Sequence, residues 1–176
     1  AAIAGSTSIC PNSTAVISFT GTPNATITYT VDSGANQTIT LDAAGNATVT
    51  TPTLNTNSTY TLVSVMASGT LACSQSQTGS ATVIVVPLPT AAIAGTTTIC
   101  SGSTTTITFS GTPNATVTYT VDSGANQTIT LDASGNASVT TPALTSDSTY
   151  SLVSVASAGT LSCSQLQTGS AIVSVI

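Results

Sequence analysis

Apolar and polar residues alternate along most of this chain, with a period of two residues. Successive side chains of a β-strand point to opposite faces, so this period predicts strands that turn one face to a core. No segment has the i, i+3, i+4 apolar spacing of a helix. The predicted inward positions of the first half are Ala15, Ile17 and Phe19, then Ile27, Tyr29 and Val31, Ile39 and Leu41, Ala47 and Val49, and last Ala81, Val83 and Val85.

Turn-forming sequences separate these predicted strands. Gly, Pro, Asn and Asp cluster at 21–24, 32–36 and 42–46, which predicts a hairpin between the strands on either side of 32–36. Leu54 is expected to close one end of the core. In Tyr60–Val65 the alternation changes phase, and a β-bulge or a strand buried on both faces would explain that change.

The chain is one unit written twice. AAIAGSTSIC at 1–10 returns as AAIAGTTTIC at 91–100, and about 62 of 86 aligned positions are identical at this offset of 90. We therefore predict a first domain at 1–86, a linker at 87–90 and a second domain at 91–176. Pro87 and Pro89 fix φ and lack an amide donor, which predicts a short, extended linker. Such repetition is typical of a segment from a longer array.

Six or seven short predicted strands per repeat, without a helix, indicate a β-sandwich. The predicted fold class is all-β: two tandem immunoglobulin-like β-sandwich domains with one disulfide each. Tyr60 and its counterpart Tyr150 begin the penultimate predicted strand, where a tyrosine corner is expected. Unlike antibody domains, the chain has no Trp, and Cys10 precedes the first core strand.

The composition excludes several classes of function. The chain has no Lys, Arg or His, and five acidic residues, all Asp, give a net charge of −5. Without cations it cannot neutralise nucleic-acid phosphates, and it lacks the usual attraction to anionic membranes. No apolar run is long enough for a membrane span, so no membrane insertion is predicted. Without His or Lys as a base, nucleophilic catalysis cannot be built from its side chains, and we predict no enzyme activity.

Four cysteines fall two per repeat. We predict disulfides Cys10–Cys73 and Cys100–Cys163, each closing a loop of about 60 residues and stabilising the fold by roughly 3–4 kcal/mol. Four buried free thiols are the alternative. Zinc is disfavoured because neither repeat has a CxxC pair or a His. Disulfides indicate an oxidising, extracellular location.

Other polar residues offer only weak candidates for chemistry. Asp32 and Asp42, like Asp122 and Asp132, lie in turn sequences, so we interpret them as turn residues; acid–base catalysis and calcium binding are the alternatives. We predict no metal and no cofactor. Outward rows of Thr on the predicted strands could instead bind a sugar or ice surface. N-x-S/T glycosylation motifs occur at Asn12, Asn24, Asn36, Asn46, Asn57, Asn114, Asn126 and Asn136.

The segments GTPNATVTYTVDSGANQTITLD and CSQLQTGSA, together with AGTTTICSGST, resemble repeats of giant cell-surface proteins of Bacteroidota, above all of flavobacteria. The resemblance covers both repeats. It implies an extracellular adhesin, gliding-associated or filament-forming protein with immunoglobulin-like domains that is secreted by the type IX system. It also implies Ser148 as a candidate O-glycosylation site, since Asp147-Ser148-Thr149 matches the motif of that phylum; Asn57-Ser58-Thr59 does not.

We predict that this chain is a structural repeat segment, the shaft or stalk of an extracellular adhesin or surface filament. Its expected partners are neighbouring repeats of the same long chain and laterally associated copies, without nucleic acid. Two alternatives stay open. One is a glycan- or surface-binding module that uses Thr-rich faces or loops, and the other is a pilus-like subunit that exchanges strands.

Overall fold

The computed structural model describes residues 1–70 and 72–176, and the chain divides into two compact units, Ala1–Pro87 and Leu88–Ile176. The described residues of the first unit form nine strands: β1 Ala2–Ala4, β2 Thr7–Ile9, β3 Val16–Thr20, β4 Thr26–Val31, β5 Gln37–Thr40, β6 Asn46–Thr50, β7 Ser58–Met66, β8 Ser74–Ser76 and β9 Ser80–Val85. Those of the second are β10 Ala91–Ala94, β11 Thr97–Ile99, β12 Thr106–Gly111, β13 Thr116–Val121, β14 Gln127–Thr130, β15 Asn136–Thr140, β16 Ser148–Ala156, β17 Ser164–Leu166 and β18 Ser170–Val175.

Each unit is a sandwich of a three-stranded and a six-stranded sheet. In the first unit the orders are β1-β3-β6 and β2-β9-β7-β4-β5, with β8 also paired to β7. All pairs are antiparallel except β2 with β9, which run parallel. The amino-terminal segment therefore crosses from one sheet to the other at Gly5. There φ is 122°, and a Cβ would lie 2.5 Å from the carbonyl oxygen of Val16, so only glycine fits.

The core follows the predicted alternation. Ile17, Phe19 and Ile27 are completely buried, whereas Val16, between two inward positions, is 55% exposed. Each such buried side chain stabilises the fold by about 1.5–3 kcal/mol through removal of apolar surface from water. Leu54 packs against the same core from its partly buried position, as expected. The inward and outward faces of the strands are thus confirmed.

The phase change in Tyr60–Val65 is a β-bulge. Tyr29 pairs with Leu62 while the preceding Thr28 pairs with Ser64, so Val63 is an extra residue in β7. The second unit repeats the irregularity between Thr118 and Tyr119. The extra residue moves Val65 back onto the core side, where it packs against the buried cluster.

The predicted pairings Cys10–Cys73 and Cys100–Cys163 are wrong in the structure, and with them the expectation of one disulfide within each domain. Cys73 and Cys100 are exposed free thiols, whereas Cys10 and Cys163 are disulfide-bonded. Since each predicted pair contains one free thiol, neither bond is formed.

The reason lies in the strand directions. Cys10 follows β2 at the end of the sandwich where β7 begins, because β2 runs beside β9 and Ser58 of β7 pairs with Val83 of β9. Cys73 lies where β7 finishes, with its carbonyl accepting from Ala67 N at 2.9 Å. Nine residues of β7 span about 26 Å at roughly 3.3 Å per residue. A disulfide needs its two Cα atoms within about 7 Å.

Candidate functional site

The carboxy-terminal end of each sandwich, where the closing strand leaves, carries the first cysteine of the repeat. In the first unit Val86 N donates to Ile9 O at 2.9 Å, which places the disulfide-bonded Cys10 next to the start of the linker. In the second unit Ile176 N donates to Ile99 O at 3.0 Å, and Ser101 N donates to Ile176 O at 3.0 Å. The free, exposed Cys100 lies between these two hydrogen-bonded residues.

The amino-terminal end of each sandwich carries the second cysteine. In the second unit Cys163 is 1% exposed and disulfide-bonded, and its N–H donates to Ser157 Oγ at 3.0 Å. In the first unit the equivalent Cys73 is a free, exposed thiol. The α-ammonium of Ala1 lies at this end of the first unit, donating to Gln77 Oε1 at 2.8 Å.

The predicted linker belongs largely to the second unit. Pro89 is fully buried, and its carbonyl accepts from Gln165 Nε2 at 2.6 Å. Thr90 exchanges hydrogen bonds with Thr112, which donates its N–H to Thr90 O at 2.9 Å. Pro87 is exposed. Thr90 lies so close to Gly111 that a Cβ on this glycine would be 2.1 Å from Thr90 O. Cys10 thus lies at the end of the first unit where the linker begins, and Cys163 lies at the end of the second unit where the linker enters.

The first aspartate of each repeat ties a turn to the longest strand. Asp32 Oδ1 accepts from Thr59 N at 2.7 Å, and its Oδ2 accepts from Ser58 Oγ at 3.0 Å. Asp122 makes the same two contacts with Thr149 and Ser148. Asp32 has a φ of 50°, a left-handed conformation that Asp tolerates better than most residues.

The second aspartate caps its own turn. Asp42 Oδ1 accepts from the N–H groups of Ala44 and Asn46 at 2.9 and 2.8 Å. Asp132 does the same to Ser134 and Asn136. The interpretation of all four as turn residues is consistent with this geometry.

Asp147 and Asn57 are equivalent structural acceptors that the sequence pattern did not single out as such. Asn57 Oδ1 accepts from Val85 N, and Asp147 Oδ1 accepts from Val175 N, both at 2.8 Å. Each fixes the last residue of a closing strand. The signal in the sequence was the exchange of Asn for Asp at equivalent positions, since the two share one side-chain acceptor oxygen.

An open cleft lies between the two sheets at the carboxy-terminal end of each unit. Its volume is about 370 Å³ in the first unit and about 270 Å³ in the second. In the first unit its polar lining includes Asp32, Gln37 and Tyr60, and its apolar lining includes Pro52 and Leu54. The equivalent residues line the second cleft. The sequence has no Lys, Arg or His side chain that could line either cleft.

The tyrosines beside the cleft form a buried stack. Tyr29 and Tyr60 lie with ring centroids 6.2 Å apart and an interplanar angle of 24°, and Tyr29 OH donates to Gln37 Oε1 at 3.0 Å. Burial raises the pKa of Tyr60, and the negative charges of ionised Tyr29 and Asp32 raise it further, while a hydrogen bond with Ser58 lowers it. Tyr150 has the same position and a pKa raised by burial. The tyrosine corner itself, a hydroxyl bonded to the backbone, stays a prediction.

Ser148 is poorly placed for glycosylation of the folded protein. Its side chain is 3% exposed, and its Oγ donates to Asp122 Oδ2 at 3.0 Å. A glycan on this oxygen would displace the aspartate from the start of β16. The candidate site therefore coincides with a structural hydrogen bond.

The described residues contain no group of three or more His, Cys, Asp or Glu side chains that could hold a metal ion. Among those same residues, no helix has the length and apolar character needed to cross a membrane.

No protein-family model and no curated protein sequence matches the chain. Among solved structures, a marsupial T cell receptor is 10% identical, with 99% of this chain and 72% of the receptor chain covered and a TM-score of 0.61. The BSP domain of a biofilm associated protein is 17% identical, with coverages of 99% and 29% and a TM-score of 0.34. A trypsin-activated alpha-2-macroglobulin from Escherichia coli is 13% identical, with coverages of 98% and 16% and a TM-score of 0.35. The latter two likenesses are too weak to carry an argument, whereas the receptor shows that the chain has an immunoglobulin-like fold.

Proposed function

We propose that this chain is a structural segment, the shaft or stalk of an extracellular adhesin or surface filament, in which a disulfide ties each repeat to the next. The observation that carries the proposal is that the two cysteines of each repeat lie at opposite ends of its sandwich. A bond within a repeat is out of reach, and the two bonded cysteines, Cys10 and Cys163, belong to different repeats. We take them to be bonded to each other.

Such a bond gives the chain a second covalent connection beside the peptide linker. Tension applied at Ala1 and Ile176 would pass from Ala1 to Cys10, through the disulfide to Cys163, and on to Ile176. Only about 24 residues lie on this route, so it extends to roughly 80 Å. The residues between Cys10 and Cys163 then carry no load. A load-bearing shaft benefits from this arrangement, because tension can pull out only β1, β2, β17 and β18, and the residues between the two cysteines cannot be unravelled.

The other features of the chain support an extracellular structural role. Disulfides persist in oxidising compartments, and a chain without Lys or Arg offers no cleavage site to trypsin-like proteases. The resemblance to giant repeat proteins of Bacteroidota supports a surface protein secreted by the type IX system. The chain has no His or Lys side chain that could act as a general base, which supports a non-catalytic role.

The two alternative functions have less support. Each unit pairs all nine of its described strands among themselves, so a strand-exchanging subunit would have to give up a strand that it already holds. A glycan-binding module usually presents aromatic side chains to its ligand. Here Phe19, Tyr29 and Tyr60 are buried in the core. Saturable binding of the 176-residue chain to a glycan array would favour that alternative over a shaft.

Single-molecule force spectroscopy tests the proposal. With handles at both termini, we expect the oxidised chain to extend to about 80 Å and the fully reduced chain to about 600 Å, the contour length of all 176 residues. Disulfides within the repeats would instead leave about 50 residues extensible, or roughly 170 Å. Either 170 Å or 600 Å for the oxidised chain would contradict the proposal. The double variant Cys10→Ser, Cys163→Ser is the matched control and should extend to the full length without reductant.

A further inference from the structure

We propose that the free thiols of Cys73 and Cys100 are the two halves of one further disulfide, which joins this chain head to tail to a second copy of the same repeat. The inference rests on the proposed function, because it extends the bond between repeats beyond the two repeats present here. The partner is specified by chemistry: a sandwich of this type that presents the complementary cysteine at its opposite end.

Repeat equivalence provides the first argument. At the offset of 90 residues, Cys100 is the counterpart of Cys10, and Cys73 is the counterpart of Cys163. Both counterparts are disulfide-bonded in this structure. Each free thiol is thus at a position whose counterpart in the other repeat forms a disulfide. The two free thiols are one cysteine of each kind, since Cys100 is the first cysteine of its repeat and Cys73 is the second of its own.

Location provides the second argument. Cys73 lies at the end of its sandwich that also carries the amino terminus, and Cys100 lies at the end that carries Ile176. Both thiols are exposed. A copy that approaches head to tail can therefore reach Cys73 with its Cys100, in the same combination of positions as Cys10 with Cys163.

Charge favours this unlike pair over two like ones. The end with Cys100 bears the carboxylates of Asp122 and Asp147, so two such ends repel each other. The end with Cys73 bears the carboxylate of Asp42, whose backbone carbonyl accepts from Asn24 N at 3.0 Å. An end with one carboxylate meets the end with two with less repulsion than a second end of the latter kind does.

Formation of this bond needs an oxidant, and a low-molecular-weight disulfide such as oxidised glutathione supplies it. The thiolate of one cysteine attacks a glutathione sulfur and releases one reduced glutathione, which takes up a proton. The second cysteine then attacks the mixed disulfide and releases the other. The two protein thiols lose two protons and two electrons, and one oxidised glutathione becomes two reduced molecules.

Complementation between two variants tests the inference. Cys73→Ser and Cys100→Ser each keep Cys10 and Cys163, and each retains one exposed thiol. After incubation with oxidised glutathione, we expect each variant alone to stay monomeric, with glutathione on its exposed thiol, while their mixture forms a covalent dimer of about twice the 17.1 kDa chain mass. Labelling one variant with ¹⁵N identifies the dimer as mixed by its intermediate mass.

Two results would overturn the inference: a mixture that stays monomeric, or single variants that dimerise as extensively as the mixture. Circular dichroism of both variants checks that replacement of an exposed thiol leaves the fold intact. The bond between Cys10 and Cys163 is tested separately on the same variants, by the length to which the oxidised chain extends under force. Failure of the copy-to-copy disulfide is therefore distinguishable from failure of the proposed function.

Discussion

At the scale of single residues, the aspartates replace the charged networks that this chain lacks. Asp32 and Asp122 each accept two hydrogen bonds from the first residues of the longest strand in their unit. Their partners Ser58 and Ser148 are buried, so loss of the carboxylate leaves a buried hydroxyl without its acceptor. Because no Lys, Arg or His is present, these contacts are structural and belong to no ion pair with a basic side chain.

Replacement of Asp32 by Ala should destabilise the first unit by about 1–2 kcal/mol, because Thr59 N and Ser58 Oγ lose their acceptor. Asp32→Asn is the matched control and should cost less than about 1 kcal/mol, since Asn keeps an acceptor oxygen and tolerates positive φ. Urea unfolding measures both, with the second unit and its intact Asp122 as internal reference. Equal losses for Ala and Asn would contradict the structural role given to this carboxylate.

At the scale of elements, the tyrosine stack joins β4 and β7 in the middle of the six-stranded sheet. Burial raises the pKa of Tyr29 above the ordinary value of 10.0, and the pKa values of Tyr60, Tyr119 and Tyr150 are raised for the same leading cause. The folded state therefore holds these phenol protons more tightly than the unfolded chain does. This contribution to stability is fully present below pH 10.0 and is lost as the pH rises through the folded-state values.

We expect the urea midpoint to stay constant on the neutral side of that range and to fall above pH 10.0. No Lys or Arg titrates there to obscure the effect, and the double variant Cys73→Ser, Cys100→Ser removes the free thiols. Tyrosinate absorbance should rise together with the loss of the β-sheet circular dichroism signal. Phenols that ionise at their ordinary pKa while the sheet stays intact would show that the stack is not buried in solution.

The strands could be predicted from the sequence wherever one face meets the core. Period-two alternation identified the strand with Ile17 and Phe19, the 27–41 hairpin and the change of phase in Tyr60–Val65, because burial imposes that period. A bulge was one of two explanations for that change, and the structure shows it at Val63. The three-residue strands β1, β2 and β8 were not predicted: they are too short to show a period, and β8 reads Ser-Gln-Ser.

The disulfide pairing could not be predicted in the same way. Four cysteines in two repeats admit several pairings, and their spacing along the chain does not show at which end of a sandwich each one lies. That information depends on strand direction, above all on β2 running parallel to β9. Linker residues were predicted by composition alone, so the attachment of Pro89 and Thr90 to the second unit was also missed.

At the scale of the whole molecule, the central claim is that its covalent structure follows the repeat: peptide linker and disulfide both connect one module to the next. The sandwiches then serve as spacers that hold two cysteines about 26 Å apart, the length of the longest strand. Neither the clefts nor the Thr rows are needed for this role.

Peptide mapping without reduction tests that claim most directly. The chain offers no trypsin site, but an endoprotease that cleaves before Asp divides it at Asp32, Asp42, Asp122, Asp132 and Asp147. After alkylation of the free thiols of the monomeric chain in denaturant, we expect fragment 1–31, with Cys10, to be joined to fragment 147–176, with Cys163, while fragment 42–121 carries two alkylated cysteines. Fragment 42–121 joined to both of the others would establish disulfides within the repeats and contradict the account.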